Sequence, residues 1–387
     1  MPYNMLNTTE GIRIASSASA CAIDAIREVV STAGVDNDIG FVLVFVSPHY
    51  DPDEIISGLR QHLPDIPYAG CSTAGEIGLE GIAHSSVVLV AFPRHDFRVV
   101  CSPLPALGDF GIEKAAELVS EMRRRLVPLP EETSESLFAL TLLDGLCQCE
   151  EQILAALQYE LADVPLVGGS SGDDLALRNT FVFQDGLVLR EAGLLLLVHS
   201  SLPFRVFKSD HFEPTAKRMV VTACDPNARI VTELDANPAG VTFAEAIGID
   251  PAALGSMSFA SHPLLVRVGG DYYCRSIQKM NSDGSLSFYC AIDTGVVLTV
   301  AQTKDMVLSL EQALVDLDKE LGGIDCVIGF DCVHRRLEAE SRQDLEQIST
   351  LFRRFRVVGF STYGEQYKAM HLNYTFTGIA FGKAGSQ

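Results

Sequence analysis

Two segments of the chain carry the same seven-residue motif, and this internal repetition limits the folds open to the sequence more than any other feature. Residues 70–76 read GCSTAGE and residues 359–365 read GFSTYGE, so both follow the pattern G-x-S-T-x-G-E. Residues 166–174, LVGGSSGDD, carry the same motif with one residue deleted. The chain therefore contains three related segments.

The sequence around each motif repeats as well. A short apolar run typical of a buried strand comes first, then an amphipathic helix, then a second short strand that leads into the glycine motif. The first strands are Phe41–Val46, Phe138–Leu143 and Cys326–Phe330, and the helices cover residues 51–59, 150–160 and 341–352. Each strand–helix–strand segment predicts a right-handed parallel crossover, with the glycine turn at the strand edge where ligands of open α/β sheets bind.

Residues 201–300 have a different pattern, with short β-type runs separated by turn signals, and a helical pattern follows at residues 304–321. We therefore predict an α/β protein of repeated β-α-β units with mixed sheets, two pseudo-repeated halves and a β-rich insert. The predicted domains are 1–220, with two repeats, and 221–387, with the insert and the third repeat.

The charge balance argues against two classes of partner. The chain has 50 acidic against 29 basic residues and a net charge of -21, which disfavours nucleic acid and anionic membrane surfaces. No apolar run has the roughly 20 residues of a spanning helix, and the N-terminal sequence lacks the pattern of a signal peptide. We expect a cytoplasmic protein whose ten cysteines are mostly reduced.

The motifs together resemble the FIST sensory domain. Residues 70–76 match the family's G-C-[ST]-T-A-G-E motif and residues 168–173 its G-G-x-x-G-D motif. Residues 359–365 match G-[FY]-x-[TG]-Y-G-E, and residues 373–375 match the N-x-T that follows. The resemblance implies a small-ligand sensor of bacterial signal transduction. Its sharper form is a stand-alone nitric-oxide sensor of the NosP type, which binds haem b and modulates a partner histidine kinase.

Two other functions stay open at this point. One is a haem-free sensor that binds an amino acid or another small metabolite at the glycine turns. The other is a hydrolase, because residues 168–172 match the nucleophile-elbow pattern G-x-S-x-G around Ser170. Cys71 is the alternative nucleophile, and Asp235 and His371 follow in the order that a triad requires. Whether the chain forms a homodimer is also open.

The glycine turns supply the first set of candidate site residues. Backbone N–H groups, hydroxyls and a carboxylate at one crevice suit a polar small ligand, although the same groups also cap turns. The candidate ligand contacts are Cys71, Ser72, Thr73, Glu76, Tyr363 and Glu365.

Histidines supply the candidate ligands of haem iron. His211 lies in an aromatic segment between two acidic residues, and His371 lies between the last glycine motif and the last strand. His49 and His334 follow equivalent strands of the first and third repeats. Tyr367 and Met370 are candidates for a second axial ligand, and Arg335 and Arg336 for pairing haem propionates or an amino-acid carboxylate.

Cys147 and Cys149 form a C-x-C pair at the position where the other repeats carry His49 and His334. Such a pair is a candidate for zinc or an iron–sulfur cluster if further ligands converge on it. Two reduced, unligated thiols are the competing interpretation.

Overall fold

The computed structural model describes residues 11–104, 106–126 and 136–383, without the side chains of residues 256 and 257. The first ten residues, which bear on the expected absence of a signal peptide, lie outside the described residues. The described chain forms three units of the same topology, here called units one, two and three. An insert, residues 210–305, interrupts unit three.

Unit one shows how local sequence signals set the repeated element order. Helix α2 begins after Asp51, whose carboxylate accepts the N–H groups of Asp53 (2.8 Å) and Glu54 (3.3 Å), and Pro52 occupies its first position. The elements are β1 (Arg13–Ser17), α1 (Ala22–Thr32), β2 (Ile39–Val46), α2 (Pro52–His62), β3 (Tyr68–Ser72), β4 (Glu76–Gly78), β5 (Gly81–Ala83) and β6 (Val87–Pro93).

Unit two repeats this order without interruption. Its elements are β7 (Phe97–Leu104), α3 (Ile112–Arg125), β8 (Leu137–Leu143), α4 (Glu150–Leu161), β9 (Leu166–Ser170), β10 (Val182–Gln184), β11 (Leu187–Leu189) and β12 (Gly193–Ser200).

The insert follows β13 (Phe204–Ser209), the first strand of unit three, and forms an antiparallel sheet with its own core. The elements are β14 (Phe212–Asp225), β15 (Ile230–Leu234), β16 (Asn237–Pro238), α5 (Ala239–Ile247), α6 (Ser256–Ser261), β17 (Leu264–Val268), β18 (Asp271–Arg275), β19 (Ile277–Met280), β20 (Leu286–Phe288) and β21 (Val297–Thr303). The sheet order is β18-β17-β21-β14-β15-β20-β19, with β16 on β15. Residue 220 lies within β14, and the predicted domain boundary there stays a prediction.

Unit three then resumes with the helix that the sequence pattern predicted near residues 304–321. The remaining elements are α7 (Met306–Glu320), β22 (Ile324–Cys332), α8 (Val333–Arg342), α9 (Leu345–Arg354), β23 (Val357–Thr362), β24 (Glu365–Tyr367), β25 (Met370–Leu372) and β26 (Phe376–Gly382).

The three units interlock by exchanging hairpins. The three six-stranded sheets have the same order: β1-β6-β2-β3-β10-β11, β7-β12-β8-β9-β24-β25 and β13-β26-β22-β23-β4-β5. In each sheet, the last two strands are a hairpin that follows the glycine turn of another unit. Unit two gives its hairpin to unit one, unit three to unit two, and unit one to unit three, which closes a ring.

The pairing directions confirm the predicted α/β fold with mixed sheets. Strands β2 and β3, β8 and β9, and β22 and β23 pair in parallel, whereas their other neighbours are antiparallel. One face of each sheet meets the other two in a shared core, where the rings of Phe45 and Phe360 lie 4.9 Å apart. Helices cover the outer faces. Burial on both faces explains the continuous apolar runs of these strands.

The structure differs from the sequence-based repeat in two respects. In unit three, the single helix predicted at residues 341–352 is wrong: the chain forms two helices, α8 and α9, because Gln343 adopts a left-handed conformation that ends α8. Each unit also has an outer strand and a helix before the first predicted strand, and a hairpin after the glycine turn. Consequently Phe204–Ser209, which the sequence placed in the β-rich stretch, lies in the sheet of unit three. No helix among the described residues is long and apolar enough to cross a membrane.

Candidate functional site

The three glycine turns meet at the centre of the ring and hydrogen bond to one another. In each turn, an N–H group donates to a serine carbonyl of the next turn. These cyclic bonds are Ala74 to Ser361 (2.9 Å), Gly172 to Ser72 (3.1 Å) and Tyr363 to Ser170 (3.3 Å). The turns therefore form a central junction that holds the three units together.

Two features keep this junction tightly packed. A Cβ atom added at Gly172 would lie 2.7 Å from both the Cβ and the backbone nitrogen of Ala74. The guanidinium of Arg336, on α8, donates to the Ala74 carbonyl, and its Nε lies 3.4 Å from Glu340. Arg336 is therefore engaged in holding the turn of unit one.

Glu76 and Glu365 hold equivalent hairpins in place. Glu76 accepts the hydroxyl of Thr73 on one oxygen, and the N–H (3.0 Å) and hydroxyl (2.8 Å) of Ser86 on the other. Glu365 has the matching contacts with Thr362 (2.5 Å) and Thr375 (3.2 and 2.8 Å). Burial raises the pKa of Glu76 to about 7 and that of Glu365 to about 8.

The predicted ligand contacts of the turns are thus mostly enclosed. Tyr363 is half-buried, whereas the other five candidates are fully buried: Cys71, Ser72, Thr73, Glu76 and Glu365. Ligand binding at these residues stays a prediction. Their repeated contacts with one another explain the motif as a structural device.

The nucleophiles of the hydrolase alternative are enclosed too. Ser170 is fully buried, and its Oγ accepts the Nε2 of Gln366 at 2.9 Å. Cys71 is also fully buried, and burial raises the pKa of its thiol well above the usual value. Neither group is exposed to a substrate as the chain is folded.

Each unit also has a crevice at the carboxyl end of its first parallel strand, and the three crevices differ. In unit one, Tyr50 is buried there, with its hydroxyl 2.6 Å from the Ser19 carbonyl and 3.1 Å from the Ser85 carbonyl. His49 is exposed beside it, 5.7 Å from the Tyr50 ring. A tyrosine anchored to two segments thus occupies this crevice.

The insert and the last loop cover the crevice of unit three. The ring of His334 stacks on Tyr374 at 5.1 Å and lies 4.6 Å from Tyr289 of the insert. Burial lowers the pKa of His334 to about 4, so its imidazole is neutral near pH 7.

The crevice of unit two is open. It is a cavity of about 640 Å³, within the size range of small-ligand sites. Arg178 and Arg190 border it, and within the described residues neither guanidinium has a hydrogen-bond or carboxylate partner. Exposed Asp109 and Glu191 add negative charge. The full lining is Ala106, Leu107, Gly108, Asp109, Asp144, Leu146, Cys147, Cys149, Arg178, Asn179, Thr180, Arg190 and Glu191.

Two aspartates shape this cavity through backbone contacts. Asp144 accepts the Thr180 hydroxyl (2.5 Å) and the N–H groups of Leu146 (2.9 Å) and Glu191 (2.7 Å). Asp173 accepts the Tyr363 hydroxyl and three successive N–H groups of residues 177–179, at 2.7 to 2.8 Å. Although burial acts to raise it, the Tyr363 and backbone bonds lower the pKa of Asp173.

The two thiols of the C-x-C pair lie in the wall of the same cavity. The interaction between the two thiols raises the pKa of Cys147 and lowers that of Cys149. No group of three or more His, Cys, Asp or Glu residues in the described part of the chain is arranged to hold a metal ion. Zinc or an iron–sulfur cluster at this pair stays a prediction.

His211 is bound at both ring nitrogens. Its Nδ1 accepts from Arg335 at 3.1 Å, and its Nε2 lies 3.1 Å from Glu338. Arg335 is itself buried and paired with Asp331 at 2.7 Å. Burial lowers the pKa of His211 despite Glu338. Iron could bind His211 only if one of these contacts broke.

The remaining haem candidates lie on the β24–β25 hairpin. His371 is buried, its Nδ1 has no partner among the described residues, and its ring packs against Gly364. Tyr367 borders a separate cavity of about 520 Å³, but burial raises its pKa and so disfavours the phenolate that binds iron. Met370 is half-buried opposite Tyr367.

As placed, these side chains do not fit a haem site. None of the four candidate histidines borders any of the four cavities described for the structure. Arg335 and Arg336, the candidate propionate partners, already contact protein groups. Haem binding stays a prediction that requires the chain to rearrange.

A buried ion-pair network that the sequence did not reveal joins the insert to unit two. Arg229 of the insert contacts Glu150 at 2.7 Å and Glu151 at 2.9 Å, both in the first turn of α4. Glu151 also accepts the Ala291 N–H at 2.8 Å. The acidic first turn of α4 was visible in the sequence as a helix start signal. Its partner Arg229 lies at least 78 residues further along the chain, so no local pattern indicates the pairing.

Comparisons with known proteins agree with the motif analysis. The FIST N domain matches residues 40–237 and the FIST C domain matches residues 239–368. Uncharacterized protein MJ1623 of Methanocaldococcus jannaschii is 22% identical over 380 residues, which cover 88% of this chain and 73% of that protein. The first match alone spans half of the chain.

Proposed function

The chain belongs to the FIST family, whose domains are associated with small-ligand sensing in signal transduction, and we propose that its ligand binds in the open crevice of unit two. The observation that carries this proposal is the difference among three equivalent crevices. A tyrosine occupies the first and the insert covers the third, whereas the second is a cavity of about 640 Å³.

The charges of this crevice favour a small zwitterion such as an amino acid. Among the described residues, the guanidinium groups of Arg178 and Arg190 have no hydrogen-bond or carboxylate partner, although that of Arg190 lies over the Phe181 ring at 5.9 Å. Both can therefore bind a carboxylate by paired hydrogen bonds. Asp109 and Glu191 lie on the same cavity and suit an ammonium group. The Thr180 hydroxyl, held by Asp144 at 2.5 Å, is a fixed polar group in the cavity wall, as in other small-molecule sites.

A ligand screen tests this proposal. Amino acids and small carboxylates are added singly to the purified chain, and its melting temperature is recorded, because a ligand that binds the native state raises it. For a hit, calorimetry compares the wild type with Arg178→Gln and Arg190→Gln. Loss of one charged hydrogen-bond pair predicts affinity about 10-fold weaker or more.

Arg124→Gln is the matched control, because Arg124 is also exposed but lies at the far end of α3. We expect it to bind as the wild type does. If a ligand binds the wild type, Arg178→Gln and Arg190→Gln with equal affinity, the crevice of unit two is not its site.

The haem-based version of the sensor remains a second proposal, which requires the chain to rearrange. The family resemblance supports it, as does buried His371, whose Nδ1 has no partner among the described residues. Bound haem would supply an iron centre for nitric oxide. The absorption spectrum of protein supplied with haem tests it: a stoichiometric Soret band lost in His371→Ala supports haem, and no uptake rejects it. A histidine kinase as partner and a cytoplasmic location are parts of this proposal.

A further inference from the structure

We propose that Cys147 and Cys149 form a reversible dithiol–disulfide site, oxidised by small-molecule disulfides that enter the crevice of unit two. This inference goes beyond ligand sensing and does not depend on which metabolite binds there. Three properties of the pair support it: the turn between the two cysteines, their access to the cavity and their difference in acidity.

The backbone turns sharply between the two cysteines. Gln148, between them, has a φ of 54°, in the left-handed region that non-glycine residues rarely adopt. Asp144 fixes the start of this turn, since its carbonyl accepts the Cys147 N–H at 3.3 Å and its side chain accepts the Leu146 N–H. Because the two cysteines flank this turn and both border one cavity, their sulfurs can meet in a disulfide.

The pair is also unusually accessible for this chain. Both thiols are half-buried and border the cavity of about 640 Å³. Among the other eight cysteines, Cys21 is exposed and Cys224 is partly exposed, whereas six are buried: Cys71, Cys101, Cys274, Cys290, Cys326 and Cys332. Buried thiols of this kind are inert, so reactivity concentrates at the crevice.

The two thiols suit different steps of thiol–disulfide exchange. Cys149 is the N-cap of α4, where the helix N-terminus favours the thiolate, which is the nucleophile. The interaction with Cys147 also lowers the pKa of Cys149, although burial and the carboxylates of Glu150 and Glu151 act to raise it. The same interaction raises the pKa of Cys147, so Cys147 keeps its proton. Cys149 therefore attacks first and Cys147 resolves.

The steps balance without another reactant. The Cys149 thiolate attacks one sulfur of a disulfide RS–SR, which forms a mixed disulfide and releases RS⁻. Cys147 then loses its proton to water and attacks the Cys149 sulfur, which forms the Cys147–Cys149 disulfide and releases the second RS⁻. Two electrons pass from the protein dithiol to the small disulfide, and an excess of dithiothreitol reverses the reaction.

The wild-type chain permits a direct test, because the tryptic peptide of residues 126–178 contains these two cysteines and no others. Folded protein is incubated with glutathione disulfide, blocked with iodoacetamide, digested and weighed before and after reduction. We expect this peptide to take up no blocking group before reduction and to be lighter by two hydrogen atoms. Two alkylated thiols in this peptide would overturn the proposal.

The order of attack is tested in a Cys21→Ser, Cys224→Ser background, which removes the other accessible thiols. Adding Cys147→Ser is expected to trap one glutathione on Cys149, whereas adding Cys149→Ser slows adduct formation at least 10-fold. Melting temperatures confirm that each variant is folded. Equal adduct formation by both variants would contradict the assigned roles, and no adduct in either would contradict the site.

Discussion

Replacing Glu76 with glutamine is expected to stabilise the protein at high pH and to leave it unchanged at low pH. Burial raises the pKa of this carboxyl from 4.5 to about 7. The protonated acid can donate to the Thr73 hydroxyl, which lies 3.3 Å from the Val46 carbonyl and can donate to it in turn. Glutamine reproduces these donors and acceptors, including those used by Ser86, without a titratable proton.

The sign of the effect follows from the raised pKa. The native state binds the proton of Glu76 more tightly than the unfolded chain does. The stabilisation from this proton is therefore complete below pH 4.5 and is lost as pH rises through about 7. The difference of 2.5 between 7 and 4.5 corresponds to about 3 kcal/mol at 1.36 kcal/mol per pH unit. Glu76→Gln should recover most of this amount at pH 8.5.

The assay is urea denaturation at pH 4 and pH 8.5, with the free energy of unfolding compared between Glu76→Gln and the wild type. Glu80→Gln is the control, because Glu80 is exposed on the same hairpin turn. The reasoning is refuted if Glu76→Gln is less stable than the wild type at pH 8.5, since the carboxylate would then contribute as an ion.

Three further predictions concern the junction, the insert and the covered crevice. Gly172→Val places a side chain against the turn of unit one and should lower the free energy of unfolding by about 2–3 kcal/mol in the same urea assay. Gly111→Ala is its control and should cost far less, because no atom lies within 4 Å of the added Cβ. Arg229→Gln leaves two partly buried glutamates without their cation and should lower the free energy of unfolding by about 3 kcal/mol. Because Arg229 joins the insert to unit two, hydrogen exchange across residues 210–305 should become faster in this variant. His334 has a pKa lowered from 6.5 to about 4, so the wild type should lose about 3 kcal/mol of unfolding free energy as pH falls between those values. His334→Phe removes this titrating group, and urea unfolding of the variant should not show that loss.

The sequence predicted the repeated part of the fold because each repeat obeys local rules. Apolar runs such as Phe41–Val46 marked strands buried on both faces, and the acidic, proline-containing start at Asp51 marked a helix. The short hairpins were not predicted. A three-residue strand such as Glu76–Gly78 has too little pattern, and its pairing with another unit depends on contacts made only after folding.

The site was harder to predict for the same reason. The thiols at Cys147 and Cys149 were noted from their equivalence to His49 and His334, and they do border the open cavity. Arg178 was not singled out, because a lone arginine in a loop carries no local signal. The serines and glutamates of the motif suggested a binding site, but hydrogen-bonding groups look the same in sequence whether they meet a ligand or one another.

Hydrogen exchange with and without a bound metabolite tests the central claim most directly. A ligand found by the thermal screen should slow exchange in residues 144–149 and 178–180, which border the crevice of unit two. The equivalent loop of unit one at residues 47–51 and the covered crevice around His334 should be unaffected. Protection at His334 or on the β24–β25 hairpin, with none at residues 144–149, would contradict the account.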